Sequence, residues 1–379
     1  MGKKYEALGQ YLDSLSKARI PACDLVIFRD HAMQYRHMAG FRDTERTRPL
    51  RGDETYCLYS CSKVFTSCAA MQLAEQGKIG LDDPVAWYLP AYSQLRVKSE
   101  EGEVPARKTM TVRHLLSMQS GLNYDMKTPA LQKLLLETGH HASTREIADT
   151  LAAVPLEFEP GTDFLYSLSH DVLAAVIEAV SGKSFGEYLQ ESVFDPLEMK
   201  TIGFALKEYD RDRQCAQYQY MEDSASIKPI PKDYIEHRLS DRHESGGAGL
   251  ISDVQDYITF ADAIACGGTG KNGARILSPE TICVWNANQL IGRSRKSFDV
   301  WNRRGYSYAL GVRTRVDLKK GGPGTIGEFG WDGAAGSWVM MDPDRHLSAF
   351  FAMHVRDFGY VYDVVQPKLR TMIYEAEQN

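Results

Sequence analysis

The sequence predicts an α/β fold: an antiparallel sheet flanked by helices and built from both chain ends, with a mainly helical domain inserted between them. Strand-like alternation clusters near the two termini, whereas helical periodicity fills the middle of the chain. A length of 379 residues fits two domains of ordinary size. We expect a split α/β domain over residues 1–85 and 246–379 and an inserted domain over residues 86–245.

The N-terminal part of the chain predicts a helix followed by a β-hairpin. Residues 3–18 place apolar side chains on one helical face. The segments 23–28 and 33–39 alternate in the manner of paired strands, with a polar turn near Asp30 between them. These strands supply the first half of the expected sheet.

The middle of the chain has the apolar spacing of helices. Gly77 and Gly182 end two of them, because glycine readily adopts the left-handed conformation that stops a helix. The expected helices are 60–76, 110–118, 144–153, 170–180, 184–194, 254–265 and 278–286. Alternation returns after residue 300, between Gly- and Asp-rich turns. The expected strands are 306–316, 327–331, 337–341 and 347–354, followed by a helix over 361–372.

Composition excludes several classes of protein. The formal net charge is −6, whereas a nucleic-acid-binding protein carries a basic surplus. No stretch approaches the ~18 apolar residues of a membrane span, and the polar N-terminus has no apolar signal region. The seven cysteines form no C-x-x-C pair. We therefore expect a cytoplasmic protein without nucleic-acid or membrane partners, metal or cofactor, and its oligomeric state stays open.

The strongest chemical motif is S-x-x-K, formed by Ser60 and Lys63 at the start of a predicted helix. Residues three apart share a helix face, so the Lys63 amine lies beside the Ser60 hydroxyl. A partly buried lysine loses its proton below its usual pKa and can activate a serine nucleophile. On its own this motif is weak, because a helix-capping serine followed by an exposed lysine has the same pattern.

Two later segments strengthen the motif. Tyr166 precedes a predicted helix, and a tyrosinate next to a lysine can exchange protons with a serine and a leaving group. The segment 329–337 predicts a strand rich in small residues, which lets another backbone approach closely. A strand N–H in this segment, paired with that of Ser60, would form an oxyanion hole.

At these three places the chain resembles the serine β-lactamase-like superfamily. This group contains class C β-lactamases, DD-peptidases, and esterases and acyltransferases of the same fold. The resemblance extends to the segments 111–122, 171–182, 194–197 and 246–250. It implies the β-lactamase/transpeptidase-like fold, which agrees with the inserted-domain architecture.

The resemblance also assigns roles. It implies that Ser60 is the acylated nucleophile, Lys63 its proton partner and Tyr166 the second base. The N–H groups of Ser60 and Ala334 would form the oxyanion hole. Tyr124 and Trp331 are candidate pocket walls, although either is equally consistent with a core aromatic residue.

The chain departs from the lactamases and peptidases at positions that bind substrate. Many of those enzymes carry Y-x-N, whereas Leu168 stands at the third position here. In place of K-T-G or H-x-G the chain has Trp331, Asp332 and Gly333, which supply no positive charge. Arg356 is a candidate to compensate. The tryptophan version resembles the esterase and acyltransferase branch.

We therefore expect a serine hydrolase acting through an acyl-enzyme, most simply a carboxylesterase on small-molecule esters. The alternatives are a class C-like β-lactamase or D-amino-acid peptidase acting on amides, an acyltransferase, and a non-catalytic binding member of the fold. The absence of polar partners for a charged substrate favours ester hydrolysis over lactam hydrolysis.

Three further patterns indicate structure, not chemistry. Ser184 lies in a G-x-S-x-G match, but a helix precedes it and Glu187 follows, which predicts a capping box. The G-x-G-x-x-G match at 268–273 follows a helix and predicts a turn. The basic stretch 293–304 is expected to be a solvated loop, with a pocket rim or a subunit contact as alternatives.

Overall fold

The computed structural model describes residues 4–205, 208–231 and 237–378. Within these ranges the α-helices are α1 (Glu6–Ser16), α2 (Ser62–Glu75), α3 (Val112–Leu116), α4 (Pro129–Glu137), α5 (Thr144–Leu151), α6 (Ser169–Ser181), α7 (Phe185–Leu189), α8 (Val254–Ala265), α9 (Pro279–Trp285), α10 (Gly292–Asp299) and α11 (Gln366–Gln378). The strands are β1 (Ala22–Arg29), β2 (Ala32–Gly40), β3 (Thr55–Cys57), β4 (Arg96–Ser99), β5 (Gly102–Pro105), β6 (Gln217–Met221), β7 (Ser226–Ile230), β8 (Ile251–Asp253), β9 (Tyr306–Tyr308), β10 (Arg313–Arg315), β11 (Phe329–Gly330), β12 (Trp338–Asp342), β13 (Leu347–Met353) and β14 (Val355–Arg356).

The main sheet joins the two ends of the chain. Its strand order is β2-β1-β13-β12-β11-β10-β9, and the neighbouring strands are antiparallel. In the centre of the sheet Val26 of β1 lies opposite Phe350 of β13, which also pairs with Val339 of β12. The expected α/β class, with an antiparallel sheet built from both chain ends, is confirmed.

Both faces of the sheet are covered, because successive side chains of a strand point in opposite directions. On one face Phe350 stacks on Tyr257 of α8, with ring centroids 4.0 Å apart. On the other face Phe351 joins a separate apolar cluster with Leu12 of α1 and Leu369 of α11. This arrangement explains why all seven residues of β13 are buried.

The region between the two halves of the sheet contains helices α3 to α7 and two hairpins. Within it, α6 is the most buried element, with nine consecutive residues from Ser169 to Ile177 buried against its neighbours. Helix α2 packs against α6, so the first turn of α2 lies where the sheet region meets the helical region. The boundaries at residues 85 and 245 stay a prediction.

The segment 306–316, predicted as one strand, is a hairpin made of β9 and β10. The chain turns at Gly311, which has a φ of +88°. A Cβ atom at this position would lie 1.9 Å from Ser67 Oγ, so only glycine fits. Alternation alone does not reveal such a turn, because its cause is a contact with a distant helix.

Part of the basic stretch is also helical. We predicted a solvated loop over 293–304, whereas residues Gly292–Asp299 form α10. Ser294 closes the first turn of this helix, since its Oγ donates to the carbonyl of Ile291 and accepts from the Ile291 N–H. Arg293 then forms an ion pair with Asp163, so this part of the stretch binds to its own chain.

The G-x-S-x-G match at Ser184 and the G-x-G-x-x-G match at 268–273 have the predicted structures. Ser184 caps α7, since its side chain accepts from the N–H of Glu187 and the Glu187 carboxylate accepts from the N–H of Ser184. Residues 268–273 form a turn closed by a bridge between Thr269 and Arg275. Among the described residues, no helix has both the length and the apolar character needed to cross a membrane.

Candidate active site

Ser60 lies in a tight turn between β3 and the start of α2. The preceding residue, Tyr59, has a φ of +46°, a left-handed conformation that is strained for a bulky side chain. Its hydroxyl donates to Gln217 Oε1 at 2.6 Å, and the Arg356 guanidinium lies 5.4 Å from its ring centroid. These contacts hold the turn, which leaves Ser60 partly exposed while Tyr59 and Cys61 are buried.

Lys63 is fully buried on the first turn of α2, beside Ser60. Its Nζ lies 3.3 Å from Ser60 Oγ, 3.3 Å from the Tyr124 hydroxyl and 2.7 Å from the carbonyl oxygen of Gly247. Burial lowers the pKa of Lys63 to about 7, although the nearby Asp171 carboxylate raises it. A substantial share of this amine is therefore unprotonated near neutral pH and can accept a proton from Ser60.

Tyr166 lies beside the same lysine. Lys63 Nζ is 4.6 Å from the Tyr166 ring centroid, and the Trp331 indole N–H donates to the Tyr166 oxygen at 2.9 Å. Burial raises the pKa of Tyr166 well above its usual value, although hydrogen bonds with Ser60 and Trp331 oppose this effect. The phenol is therefore neutral in the resting site, and the amine of Lys63 is the more readily available base.

The predicted strand over 329–337 is shorter in the structure, because β11 ends at Gly330 and a turn over 333–336 is closed by the Gly336 N–H and the Gly333 carbonyl. The segment containing Gly333 and Ala334 passes directly beside the Ser60 turn. A Cβ atom on Gly333 would lie 2.3 Å from the carbonyl oxygen of Leu58, so no larger residue allows this approach. Cys61 Sγ, on the Ser60 side, lies 3.5 Å from the carbonyl oxygen of Ser337. Within the described residues, the N–H groups of Ser60 and Ala334 have no protein acceptor, which leaves both available to a substrate oxygen.

The side chains of Trp331 and Asp332 lie in different surroundings. Trp331 contacts Tyr166, whereas the Asp332 carboxylate forms an ion pair with Arg303 at 2.6 Å and is 8% exposed. Neighbouring residues of an extended strand point to opposite sides, which explains the difference. The structure thus separates Asp332 from the other residues predicted to bind substrate.

Aromatic rings surround the catalytic candidates. Tyr124 stacks on Tyr166 with ring centroids 5.7 Å apart, and Trp331 lies 5.6 Å from Tyr166. Two further rings were missed by sequence reasoning: Trp301, 5.2 Å from Tyr166, and His237, 5.6 Å from Tyr124. Both lie outside regular helices and strands, so no periodic pattern marks them.

Sequence reasoning also missed a buried carboxylate behind the lysine. Asp171, at the start of α6, accepts a hydrogen bond from Ser245 Oγ at 2.6 Å and lies 3.5 Å from His243 Nε2. Burial opposes its ionisation, but the nearby His243 ring and the hydrogen bond from Ser245 lower its pKa to about 2. Asp171 therefore anchors the loop whose Gly247 carbonyl accepts from Lys63, and it brings a negative charge close to the lysine.

One group of potential metal ligands lies away from these residues, at the β1–β2 turn. The ligand atoms of His31, Asp262 and Cys266 are all within 4.8 Å of one another. Both the backbone N–H and the ring Nδ1 of His31 contact the Asp262 carboxylate, so hydrogen bonding that fixes the turn to α8 accounts for the cluster.

Residues 7–362 match the family model described as Beta-lactamase. The chain belongs to this family. Esterase EstB from Burkholderia gladioli is 29% identical over 271 residues, which cover 66% of this chain and 67% of that protein. Protein Rv1367c from Mycobacterium tuberculosis is 28% identical over 342 residues, which cover 86% of this chain and 83% of the relative.

A solved structure supports the same assignment. EstCE1, a hydrolase with promiscuous acyltransferase activity, has a TM-score of 0.80 and 25% sequence identity to this chain, covering 98% of both chains. The predicted resemblance to the serine β-lactamase-like superfamily, and to its esterase and acyltransferase members, is confirmed. By their names, EstB is an esterase and EstCE1 is a hydrolase with acyltransferase activity.

Proposed function

We propose that the protein is a serine hydrolase that forms an acyl-enzyme at Ser60 and acts as a carboxylesterase on small-molecule esters. The observation that carries the proposal is the buried Lys63 amine, which lies 3.3 Å from Ser60 Oγ and has a pKa lowered to about 7. A buried amine with this acidity is a suitable general base at neutral pH. Ser60 itself lies just before α2, where the positive end of the helix dipole stabilises negative charge.

In the first half of the reaction, Ser60 Oγ attacks the ester carbonyl and its proton passes to Lys63 Nζ. The N–H groups of Ser60 and Ala334 donate to the oxyanion that develops on the carbonyl oxygen. When the tetrahedral intermediate collapses, Tyr166 donates its phenolic proton to the departing alkoxide and recovers one from Lys63. An alcohol leaves, and the acyl group remains on Ser60.

In the second half, the neutral Lys63 again acts as base. It takes a proton from a water molecule as the water oxygen attacks the acyl-enzyme carbonyl. Collapse of the second intermediate releases the carboxylic acid and returns a proton to Ser60 Oγ. The Lys63 ammonium supplies this proton, so Ser60 and Lys63 both end the cycle in the protonation states in which they began it.

The side chains around Ser60 favour ester substrates. Trp331 occupies the position where lactamases and peptidases carry a cation or hydroxyl, and Leu168 replaces their asparagine. The side chains around the candidate nucleophile are aromatic, which suits an uncharged acyl or alkyl group. The name of the relative Esterase EstB points to the same chemistry.

Acyl transfer is the second candidate. It differs from hydrolysis only in the last step, where an alcohol oxygen replaces water as the attacking group. The structural relative EstCE1 is a hydrolase with promiscuous acyltransferase activity, which favours this candidate over lactam hydrolysis.

The nucleophile is tested by incubating the protein with a fluorophosphonate and mapping the labelled peptide by mass spectrometry. We expect the label on Ser60, no label in Ser60→Ala, and full labelling in the control Ser184→Ala. A label on Ser184, or none on Ser60 in the folded protein, would contradict the proposal.

The substrate class is tested by comparing a series of p-nitrophenyl esters with the lactam nitrocefin. We expect turnover of the esters and little of nitrocefin, with both rates lost in Ser60→Ala. Added alcohol should yield a new ester if acyl transfer occurs. Fast nitrocefin hydrolysis with inert esters would reverse the preference for ester substrates.

A further inference from the structure

A cavity of about 550 Å³ lies beside the start of α11. Its walls include Asp332, Arg303 and Tyr362, but not Ser60 or Lys63. Tyr362 donates a hydrogen bond to the carbonyl of Gly333 at 2.9 Å, so the cavity borders the same segment that contributes to the candidate active site. It is nevertheless a separate space, and the proposed reaction does not use it.

The walls of this cavity are strongly cationic. Two carboxylates also line it, those of Asp332 and Asp363, of which the first is paired with Arg303. Glu328 lies behind the wall and pairs with Arg313, which neutralises one further charge. The cationic side chains are those of Arg303, Arg304, Arg313, Lys368 and Arg370. Counting all three acids, the residues around the cavity carry a surplus of two positive charges, one of them on Lys368, whose ammonium lies 4.0 Å from the Tyr11 ring centroid.

Two of these cations are buried and incompletely paired. Arg313 and Arg370 are 3% and 6% exposed. Arg313 uses its Nη2 to contact Glu328 and the carbonyl of Val339, but within the described residues its Nε and Nη1 have no acceptor, and neither has Arg370 Nε. Buried cations that are incompletely paired are costly, and an anion bound against this wall of the cavity would offset their charge.

The arginines are held in place by aromatic rings. The Arg370 guanidinium lies 4.5 Å from the Tyr306 ring centroid and that of Arg313 lies 5.5 Å away. Arg313 is also 5.5 Å from the ring of Trp338. Contact with these rings restricts the guanidinium groups before a ligand arrives, which reduces the entropy lost on binding.

We propose that this cavity is an anion-binding site, distinct from the Ser60 site, that takes a small molecule bearing a phosphate group. The planar N–H pairs of arginine match phosphate oxygens in pairs. A surplus of two positive charges fits a phosphate dianion better than a single carboxylate. The cavity volume is within the range of sites for small-molecule ligands.

The test is isothermal titration calorimetry of the full-length protein with inorganic pyrophosphate as the probe. We expect one site per chain, with an affinity that falls as salt is added. Arg370→Gln should weaken binding by at least about tenfold, the usual effect of losing a charge-assisted hydrogen bond. Ser60→Ala and the distant exposed control Lys78→Gln should bind as the wild type does.

A second variant guards against misfolding of Arg370→Gln. The side chains of Arg304 and Lys368 are exposed, so their double replacement by glutamine should leave the fold intact and still weaken pyrophosphate binding. Acetate, a monoanion, should not compete with pyrophosphate. The proposal is overturned if the wild type shows no saturable binding at low ionic strength, if folded variants bind unchanged, or if acetate competes equally.

Discussion

Lys63 has its unusual acidity because of where it lies, not because of a neighbouring cation. Burial disfavours the ammonium form and lowers its pKa, whereas the Asp171 carboxylate favours that form. The two effects together bring the pKa to about 7, so small changes around Lys63 should alter its protonation near neutral pH.

The pH dependence of ester hydrolysis should follow this titration. If neutral Lys63 is the base, kcat/KM rises as the pH increases through about 7, because protonated Lys63 cannot accept the Ser60 proton. Initial rates with a p-nitrophenyl ester between pH 5 and 9 measure this. Lys63→Ala should lower kcat by about 10²–10⁴-fold, the range for a lost general base. A profile that falls with pH over this range would exclude Lys63 as the base.

Replacing Asp171 should move the same pH profile. Asp171→Asn removes the negative charge that raises the pKa of Lys63, so the midpoint of kcat/KM should shift to lower pH. Loosening of the loop that contains Gly247 should also reduce kcat. Ser245→Ala is the matched control, because it removes a hydrogen bond to Asp171 without changing charge and should leave the midpoint unchanged. An unchanged or upward shift in Asp171→Asn would contradict this role.

At the scale of single elements, the segment from Trp331 to Ser337 positions groups on two sides. Trp331 contacts Tyr166 on one side, and Asp332 pairs with Arg303 on the other. Between them, Gly333 allows the backbone to approach Leu58 more closely than any side chain would permit. The close approach of the segment containing Ala334 to the Ser60 turn therefore depends on one glycine.

Gly333→Ala should consequently damage both stability and activity. The added Cβ would lie 2.3 Å from the carbonyl oxygen of Leu58, which forces the Gly333 segment away from the Ser60 turn. We expect a loss of about 1–3 kcal/mol in the free energy of unfolding, as for other overpacked sites, and a lower kcat. Gly359→Ala is the control, since nothing lies within 4 Å of its added Cβ. Chemical denaturation and ester hydrolysis measure the two effects, and a fully active Gly333→Ala would refute the role of this segment.

At the scale of the whole molecule, the central sheet cannot form until both chain ends are present. Strand β13 pairs with β1 on one side and β12 on the other, although β1 and β13 are separated by most of the sequence. Helices α1 and α11 then cover the same face. The N-terminal hairpin is therefore part of the fold and not an appendage to it.

A chain that lacks residues 1–40 should not fold by itself. Deletion of residues 1–40 removes β1 and β2. It exposes an edge of β13, whose residues are all buried in the intact protein. Circular dichroism and thermal denaturation of the 41–379 fragment should show no cooperative transition. Co-expression with residues 1–40 should restore a cooperative unfolding transition. Cooperative unfolding of the fragment alone would contradict this interpretation.

The sequence was sufficient where the physical signal is local. Ser60 and Lys63 share a helix face because of their spacing, and the capping box at Ser184 is complete within four residues. Alternating and helical patterns also located most elements. These patterns did not separate β9 from β10, since that turn is set by contact between Gly311 and Ser67 on α2.

The sequence by itself thus determined the fold class, the family resemblance, and the three candidate catalytic residues Ser60, Lys63 and Tyr166. Tertiary structure alone decided where Asp332 points, which aromatic rings surround Tyr166, and that Asp171 lies near Lys63. It also placed buried arginines from separate elements around one cavity. The physical reason is that these properties depend on burial and on contacts between residues far apart in the chain, which periodicity and spacing do not encode.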